Sequence, residues 1–227
     1  TVAELRRSGK PVHVLSNDAS AEKRDLVATY NRQGFPFVDE DVIASQELLP
    51  RVLEAFSEVR LWGVVASPDW PVERLGECLE ILGSDMDRYD GILFLAARTW
   101  NEEAQLGLEK SLVARPRPIV IANPDVAAPD EYGRFSTPPG YFGHRIAEKT
   151  GISPRFIGKP FPENFEAAMA RHPGVPPNRF LMVGDSLHTD ILGARNVGMG
   201  TMLVAQSGFL KGRDWRAYCQ RSGIWPQ

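Results

Sequence analysis

The stretch that decides the fold runs from Arg179 to Ala205 and reads RFLMVGDSLHTDILGARNVGMGTMLVA. Its pattern predicts an apolar strand, a short amphipathic helix and a second apolar strand, joined by short loops. Asp185 directly follows the first strand, and Asp190 lies in the first turn of the predicted helix. Strand–helix–strand units build parallel sheets, and ligands bind beyond the carboxyl ends of such strands. The two carboxylates therefore stand where the fold predicts a site.

The rest of the chain repeats this alternation of strands and helices. Strands are predicted at residues 11–16, 60–66, 90–96, 117–122 and 154–158. Helices are predicted at residues 2–8, 20–33, 45–57, 72–83, 101–114, 141–151 and 162–172. Two stretches rich in Pro and Asp, residues 35–42 and 122–140, are predicted to be linkers. The fold class is therefore α/β, with a Rossmann-like parallel-sheet core of three layers (α/β/α) at residues 1–36 and 123–227 and an inserted α/β domain at residues 37–122.

Composition excludes several classes of protein. The 227 residues carry a formal net charge of −3 and the sequence pI is about 5.9, so bulk charge does not predict nucleic-acid binding. No apolar run approaches the roughly 18 residues that a membrane span needs, and the N-terminus lacks the apolar segment of a signal peptide. Cys78 and Cys219 form neither a metal-ligand spacing nor a disulfide framework. We therefore expect a cytoplasmic protein without nucleic-acid or membrane partners.

Polar side chains also follow two other predicted strands. Ser16, Asn17 and Asp18 stand at the end of the first strand, and Lys159 follows the strand that precedes the opening stretch. A hydroxyl and the backbone N–H groups after a strand can bind an anion, and a lysine supplies a point charge to phosphate oxygens. Structural roles stay open as well, because Ser16 and Asn17 could cap the next loop and Lys159 could lie on the plain surface.

The two aspartates suit a hard divalent cation, because Mg²⁺ takes one or two protein carboxylates and completes its shell with water and phosphate oxygens. Structural explanations exist here too, since Asp185 could be a turn residue and Asp190 could be favoured by the helix dipole. The whole set favours a site, because a hydroxyl, a lysine and two carboxylates stand at strand ends of one α/β layer. Such a set predicts a phosphate group and Mg²⁺.

Several segments make the resemblance to a known family specific. The chain resembles the haloacid dehalogenase (HAD) superfamily of phosphohydrolases in motifs two, three and four, which read VHVLSN (residues 12–17), FIGKP (156–160) and MVGDSLHTDILGARNVGM (182–199). It is similar to subclass IIA, the N-acetylglucosamine-phosphate and 4-nitrophenyl-phosphate phosphatases, in the strings LSNDASAEKRDLVATYNRQGF, VIANPD and GKPFPENFEAAM. The insert lies between motifs two and three, a position that implies the superfamily's second type of cap domain, in its subclass A form.

The resemblance implies catalytic and binding roles for the candidate residues. Ser16, with Asn17 beside it, would hold the phosphoryl oxygens, and Lys159 would neutralise charge on the phosphate and on the nucleophile. Asp185 would ligate Mg²⁺, and Asp190 would bind the ion or orient a ligand water. The implied reaction transfers the phosphoryl group to an aspartate, and a second aspartate two residues later serves as acid and base.

Two features depart from the family pattern. The first motif, a DxDG- or DxWG-like string after an apolar strand, is absent, so neither the nucleophile nor the acid/base can be named. We expect that motif upstream of Thr1, on a strand between those ending at Ser16 and Gly184, because losing a central strand would leave two rows of backbone groups unpaired. Asp18 stands where relatives often carry Asn or Ser, and we place it in the substrate-binding group with its role open.

The predicted cap contains residues near strand ends that are candidates to face a substrate. These candidates, each of which taken singly is better explained as a core or surface residue of the cap, are Trp62, Trp70, Arg98, Trp100 and Asn101. The segment Asn123–Asp125 is predicted to be a hinge, in which Pro fixes a turn and Asp caps it.

The sequence thus predicts a Mg²⁺-dependent phosphohydrolase of a small phosphorylated substrate, a sugar phosphate or a nucleotide-like monoester. The alternative is a catalytically inactive HAD-like module that binds a phosphorylated ligand or a partner protein, and the missing first motif favours it. A nucleotide-binding Rossmann domain is disfavoured, because no GxGxxG follows a strand. A homodimer is left open.

Overall fold

The structure is a computed structural model of the chain and describes residues 2–129 and 134–227. Its strands are β1 (Val14–Ser16), β2 (Val42–Ala44), β3 (Trp62–Val65), β4 (Leu79–Ile81), β5 (Gly91–Phe94), β6 (Ile119–Ile121), β7 (Ala128–Pro129), β8 (Phe135–Ser136), β9 (Arg155–Phe156), β10 (Leu181–Gly184) and β11 (Gly200–Leu203). Its helices are α1 (Val2–Arg7), α2 (Lys23–Arg32), α3 (Leu49–Glu54), α4 (Glu102–Ala114), α5 (Pro139–Thr150), α6 (Pro162–Ala170), α7 (Leu192–Asn196) and α8 (Trp215–Ser222). Within the described part of the chain, every strand pair except β7–β8 is parallel, which confirms the α/β class. In the same part, no helix is both long and apolar enough to cross a bilayer.

The first of two compact units comprises Thr1–Ala127 and Thr137–Ile157. It contains a five-stranded parallel sheet with the strand order β4-β3-β5-β6-β9. All residues of β3, β5 and β6 are buried, as expected for apolar runs in a parallel sheet that is covered on both faces. Alternate residues of β5 enter two separate apolar cores, Leu93 in one and Ile92 in the other. The sheet is thus packed on both of its faces.

Two strand pairs cross the domain boundaries that the sequence suggested. β1 pairs with β2, with Ser16 aligned to Ala44, so β2 belongs with the strand that carries Ser16. β9 pairs with β6 through Phe156 and Ile121, so β9 belongs with the sheet of the expected insert. A boundary after residue 36 or after residue 122 would separate these partners, and the limits of core and insert stay predictions.

The second unit comprises Ala128–Ser136 and Gly158–Gln227. Its parallel pair β10–β11 aligns Gly184 with Leu203, and the predicted strand–helix–strand order of the opening stretch is confirmed. The helix differs in its start, because a single π-helical turn at Leu187–Ile191 precedes α7. An apolar core that includes Leu210 packs around this turn.

Two stretches have a different local structure from the one predicted. The prediction of a helix at residues 72–83 is wrong, because the structure has a short 3₁₀ turn at Val72–Arg74 followed by β4. Gly76, with a φ of 153°, interrupts any helix there, and Leu79 is buried while Glu80 is exposed, as in a strand. The linker expected at residues 122–140 contains the antiparallel pair β7–β8, and its residues 130–133 lie outside the described part.

Candidate active site

A buried ion pair joins two predicted site residues in the second unit. Lys159 Nζ donates to Asp190 Oδ1 at 2.7 Å, and the two side chains are only 13% and 6% exposed. Lys159 lies between β9 and α6, and Asp190 lies in the π-helical turn after β10. Because water is largely excluded, the attraction is stronger than in a surface pair. Removing one partner would leave the other charge buried and uncompensated, which destabilises the fold.

Asp190 also stabilises the turn to which it belongs. Its Oδ2 accepts the N–H of Ser186 at 3.2 Å. The backbone N–H groups of Asp190 and Ile191 both donate to the carbonyl oxygen of Ser186, each at 3.1 Å. The carboxylate lies directly over Gly184, where any Cβ would overlap it. Asp190 therefore stabilises its own turn through a hydrogen bond and forms the ion pair with Lys159 as well.

Asp185 is the half-buried carboxylate beside this pair, directly after the last residue of β10. Burial raises the pKa of Asp185, the negative charge of Asp190 raises it further, and the positive charge of Lys159 acts in the opposite direction. The Oδ2 atom of Asp185 lies against the backbone of Gly208. A carboxylate that is desolvated next to a like charge gains from the arrival of a cation.

The two aspartates fit part of a divalent-metal site. Across residues 2–129 and 134–227, no group of three or more His, Cys, Asp or Glu side chains is arranged to hold a metal ion. Asp185 and Asp190 would thus supply two ligands, and water or phosphate oxygens the others, which is the donor set that Mg²⁺ prefers. Lys159 and the N–H of Ser186 already bond the two oxygens of Asp190, so Asp185 is better able to contact a cation directly.

Ser16, Asn17 and Asp18 form a second group, in the first unit. Ser16 Oγ accepts the N–H of Asp18 at 3.1 Å, and Asp18 Oδ1 accepts the N–H of Ser20 at 2.8 Å. The Ser16 hydroxyl can still donate its own proton, because accepting a hydrogen bond uses only a lone pair. Asp18, the unexpected acid of this loop, has a structural role in shaping the turn.

Asn17 connects this loop to the predicted hinge. Its Nδ2 donates to Asp125 Oδ1 at 2.9 Å. Within the hinge, the N–H of Asp125 donates to Asn123 Oδ1 at 3.0 Å. Asn123 therefore caps the turn that the sequence assigned to Asp125, and the carboxylate of Asp125 holds Asn17 instead.

Ser45 was missed in the sequence, although it lies at the same end of the sheet. It directly follows β2 and is fully buried. Its Oγ lies 2.5 Å from the carbonyl oxygen of Ala122 and 3.3 Å from that of Asn17. Its sequence signal is a serine after the short apolar run Val42–Ala44, a run that the sequence pattern alone does not predict to be a strand.

The cap residues that were candidates to face a substrate have mainly structural roles. Trp62 and Trp70 are buried in an apolar core of the first unit. The indole N–H of Trp100 donates to a side chain of α4 at 2.8 Å, and Asn101 is the N-cap of that helix. Arg98 is exposed and stays a candidate.

The sequence of the second unit's site residues matches a known family. Residues 156–219, which include Lys159, Asp185 and Asp190, match the family model described as HAD-hydrolase-like. A segment of 86 residues is 40% identical to the acid sugar phosphatase of Staphylococcus aureus (strain MRSA252) and covers 38% of this chain. That segment covers 32% of the phosphatase, so the match spans about a third of this curated relative.

Solved structures extend the likeness to almost the whole chain. A possible sugar phosphatase of the HAD superfamily from Cytophaga hutchinsonii has a TM-score of 0.84 at 22% identity, covering 99% of this chain and 82% of that one. A glycerol phosphate phosphatase from Mycobacterium tuberculosis, solved in complex with calcium, has a TM-score of 0.69 at 26% identity, covering 89% of this chain and 59% of that one. These structures confirm the fold class, and the family-model match over residues 156–219 confirms the resemblance that the motifs predicted.

Proposed function

We propose that this chain, with its HAD-hydrolase-like segment at residues 156–219, belongs to a phosphohydrolase that acts on a small phosphomonoester. The observation that carries the proposal is the buried pair of Lys159 and Asp190, 2.7 Å apart, beside Asp185 at the end of β10. A lysine and carboxylates fixed at a strand end suit the charge stabilisation on which phosphoryl transfer depends. A sugar phosphate is the proposed substrate class, supported by the names of the relatives from S. aureus and C. hutchinsonii.

Lys159 would neutralise the charge of the phosphoryl group. The lysine ammonium group is a compact point charge on a flexible side chain, so it stabilises a phosphoryl group well only if another group fixes its position. The hydrogen bond to Asp190 Oδ1 provides that restraint, and burial of both side chains makes it strong. Asp190 therefore positions Lys159 in addition to any contact it makes with a cation.

Ser16 would donate its hydroxyl proton to a phosphoryl oxygen, while its Oγ accepts the N–H of Asp18. Asn17, which is only 6% exposed and bonded to Asp125, would keep the backbone of this loop in place for the substrate. Asp18 would contribute by shaping the turn. The nucleophile of the proposed aspartyl-phosphate route is an aspartate of motif one, which the resemblance puts upstream of Thr1.

Asp185 and Asp190 would hold a divalent cation, for which we propose Mg²⁺. When bound, the cation supplies positive charge to the phosphoryl oxygens during transfer. The calcium complex of the M. tuberculosis relative supports a divalent-cation site in this fold. The five-stranded sheet of β3–β6 and β9 is the proposed cap domain, with limits that differ from 37–122 by the addition of β9 and the exclusion of β2.

The proposal is tested by assaying the full natural chain on 4-nitrophenyl phosphate and on a panel of sugar phosphates, with Mg²⁺ or with a chelator. We expect turnover that chelation abolishes and that Mg²⁺ restores. A full chain that releases no phosphate from any of these substrates, or whose turnover ignores the chelator, would contradict the proposal.

A second candidate function is supported by one specific observation. None of the 227 residues forms a DxDG- or DxWG-like string after an apolar strand. If the full natural chain also lacks one, the site would bind a phosphorylated ligand or a partner protein without hydrolysing it. Calorimetric titration of the full chain with inorganic phosphate and glucose 6-phosphate distinguishes the two functions, because a binder gives saturable heat without phosphate release.

A further inference from the structure

Gly208 occupies a position next to Asp185 that leaves no room for a side chain. It lies at the start of a short 3₁₀ turn after β11, and its φ of +61° falls in the left-handed region. A Cβ built there would overlap both Oδ2 and Cγ of Asp185 and would come within 3.1 Å of its Cβ. Because the overlap involves more than the tip of the carboxylate, relieving it requires a rotation of the whole Asp185 side chain.

The loop that carries Gly208 is anchored on both sides. Before it, the N–H of Val204 donates to the carbonyl oxygen of Gly184 at 2.8 Å, which ties the loop to the end of β10. After it, Leu210 is only 3% exposed and packs in an apolar core with Leu187 and Ile191. A shift of the loop backbone away from Asp185 would disturb these contacts. An added methyl group at residue 208 would therefore displace the carboxylate of Asp185 rather than the loop.

We infer that Gly208 is a positioning residue for Asp185. Because Gly208 has no side chain, the loop can lie against the Asp185 carboxylate and fix its direction toward a divalent cation. This inference rests on the proposed function, since it assigns Asp185 to the metal. Groups that orient metal ligands contribute to metal affinity without touching the metal. Gly208 would do so by steric contact, without a hydrogen bond.

The experiment compares Gly208→Ala with Gly212→Ala in the full natural chain. Gly212 is a matched control, because its φ of +72° is also left-handed and, apart from its chain neighbours, no heavy atom of the described residues lies within 4 Å of the Cβ it would gain. Isothermal titration with Mg²⁺ measures the dissociation constant of each variant. We expect Gly208→Ala to weaken Mg²⁺ binding by about 10- to 100-fold, as for other groups that orient ligands. Gly212→Ala should leave the constant unchanged.

Thermal unfolding without metal provides a second readout, which needs neither activity nor Mg²⁺. In the parent background, Gly208→Ala should lower Tm by more than Gly212→Ala, because both introduce left-handed strain but only the first creates the overlap. In an Asp185→Ala background the two glycine substitutions should lower Tm equally.

Each outcome has a distinct meaning. A parent protein that binds no Mg²⁺ would refute the proposed metal site and this inference with it. A parent that binds Mg²⁺, together with equal affinities for Gly208→Ala and Gly212→Ala, would refute the inference and leave the proposed function standing. A Tm loss at Gly208 that is unchanged in the Asp185→Ala background would also refute the inference.

Discussion

Replacing Lys159 with methionine should destabilise the fold strongly, because it leaves the buried, negatively charged carboxylate of Asp190 without its cationic partner. The two side chains are 13% and 6% exposed and lie 2.7 Å apart, so Asp190 cannot regain the lost interaction from bulk water. Removing one partner of a buried ion pair costs about 3–5 kcal/mol. For a chain of 227 residues that corresponds to a fall in Tm of about 6–20 °C, at about 2–4 °C per kcal/mol. Thermal and urea unfolding, each followed by circular dichroism, measure it.

The control is the same substitution at an exposed lysine. Lys149 lies 3.5 Å from Glu148, and their side chains are 55% and 73% exposed, so Lys149→Met should change stability by no more than about 0.5 kcal/mol. Adding Asp190→Asn to Lys159→Met removes the stranded charge and should recover about 2 kcal/mol of the loss. A loss below about 1 kcal/mol for Lys159→Met, or no coupling between the two sites, would refute the buried-pair reasoning.

Three further predictions concern neighbouring features. Asp185→Asn should raise the free energy of unfolding at pH 7 in the presence of a chelator. The pKa of Asp185 is raised in the folded state, so the stability linked to its protonated form is present below about pH 4 and is lost as the pH rises through the folded-state pKa, whereas asparagine stays uncharged. Urea unfolding at several pH values tests this, and an equal advantage of Asp185→Asn at pH 3 would contradict it. Ser45→Ala should cost about 1–3 kcal/mol, because a fully buried hydroxyl bonded to carbonyl oxygen is lost; a urea midpoint equal to that of the parent would show that the hydrogen bond is not needed. Asn164→Leu should raise the free energy of unfolding by about 1 kcal/mol. The fully buried amide of Asn164 has no hydrogen-bond partner among the described residues, and leucine has the same branched shape. Thermal unfolding tests this, and a Tm below that of the parent would indicate that the amide has a partner.

The sequence predicted the elements whose apolar runs end in a polar residue. The run before Asp185 and the one before Ser16 each have this form, and both strands are present with the candidate side chains at their carboxyl ends. Short strands were harder to predict. Val42–Ala44 has only three residues after an acidic turn, and Leu79–Ile81 lies in a stretch whose apolar spacing also suits a helix.

The contacts that make the site specific could not be predicted from sequence, because they join residues that only tertiary packing brings together. The sequence pattern places Lys159 and Asp190 after predicted strands, but it does not predict the hydrogen bond between their side chains. The fit of Gly208 against Asp185 depends on a loop that returns to the end of β10 after β11. A glycine between two loop residues carries no sequence signal for such a contact.

The central claim is that Asp185 belongs to a metal-dependent phosphohydrolase site, and phosphate release from sugar phosphates by the full natural chain tests it most directly. The assay compares the parent, Asp185→Asn and a control, Asp69→Asn, at an exposed aspartate. We expect Mg²⁺-dependent release by the parent and the control, and a loss of more than about 100-fold in Asp185→Asn, since groups that merely orient metal ligands are already worth about 10- to 100-fold. Equal activity of Asp185→Asn and the parent, with or without Mg²⁺, would contradict the account.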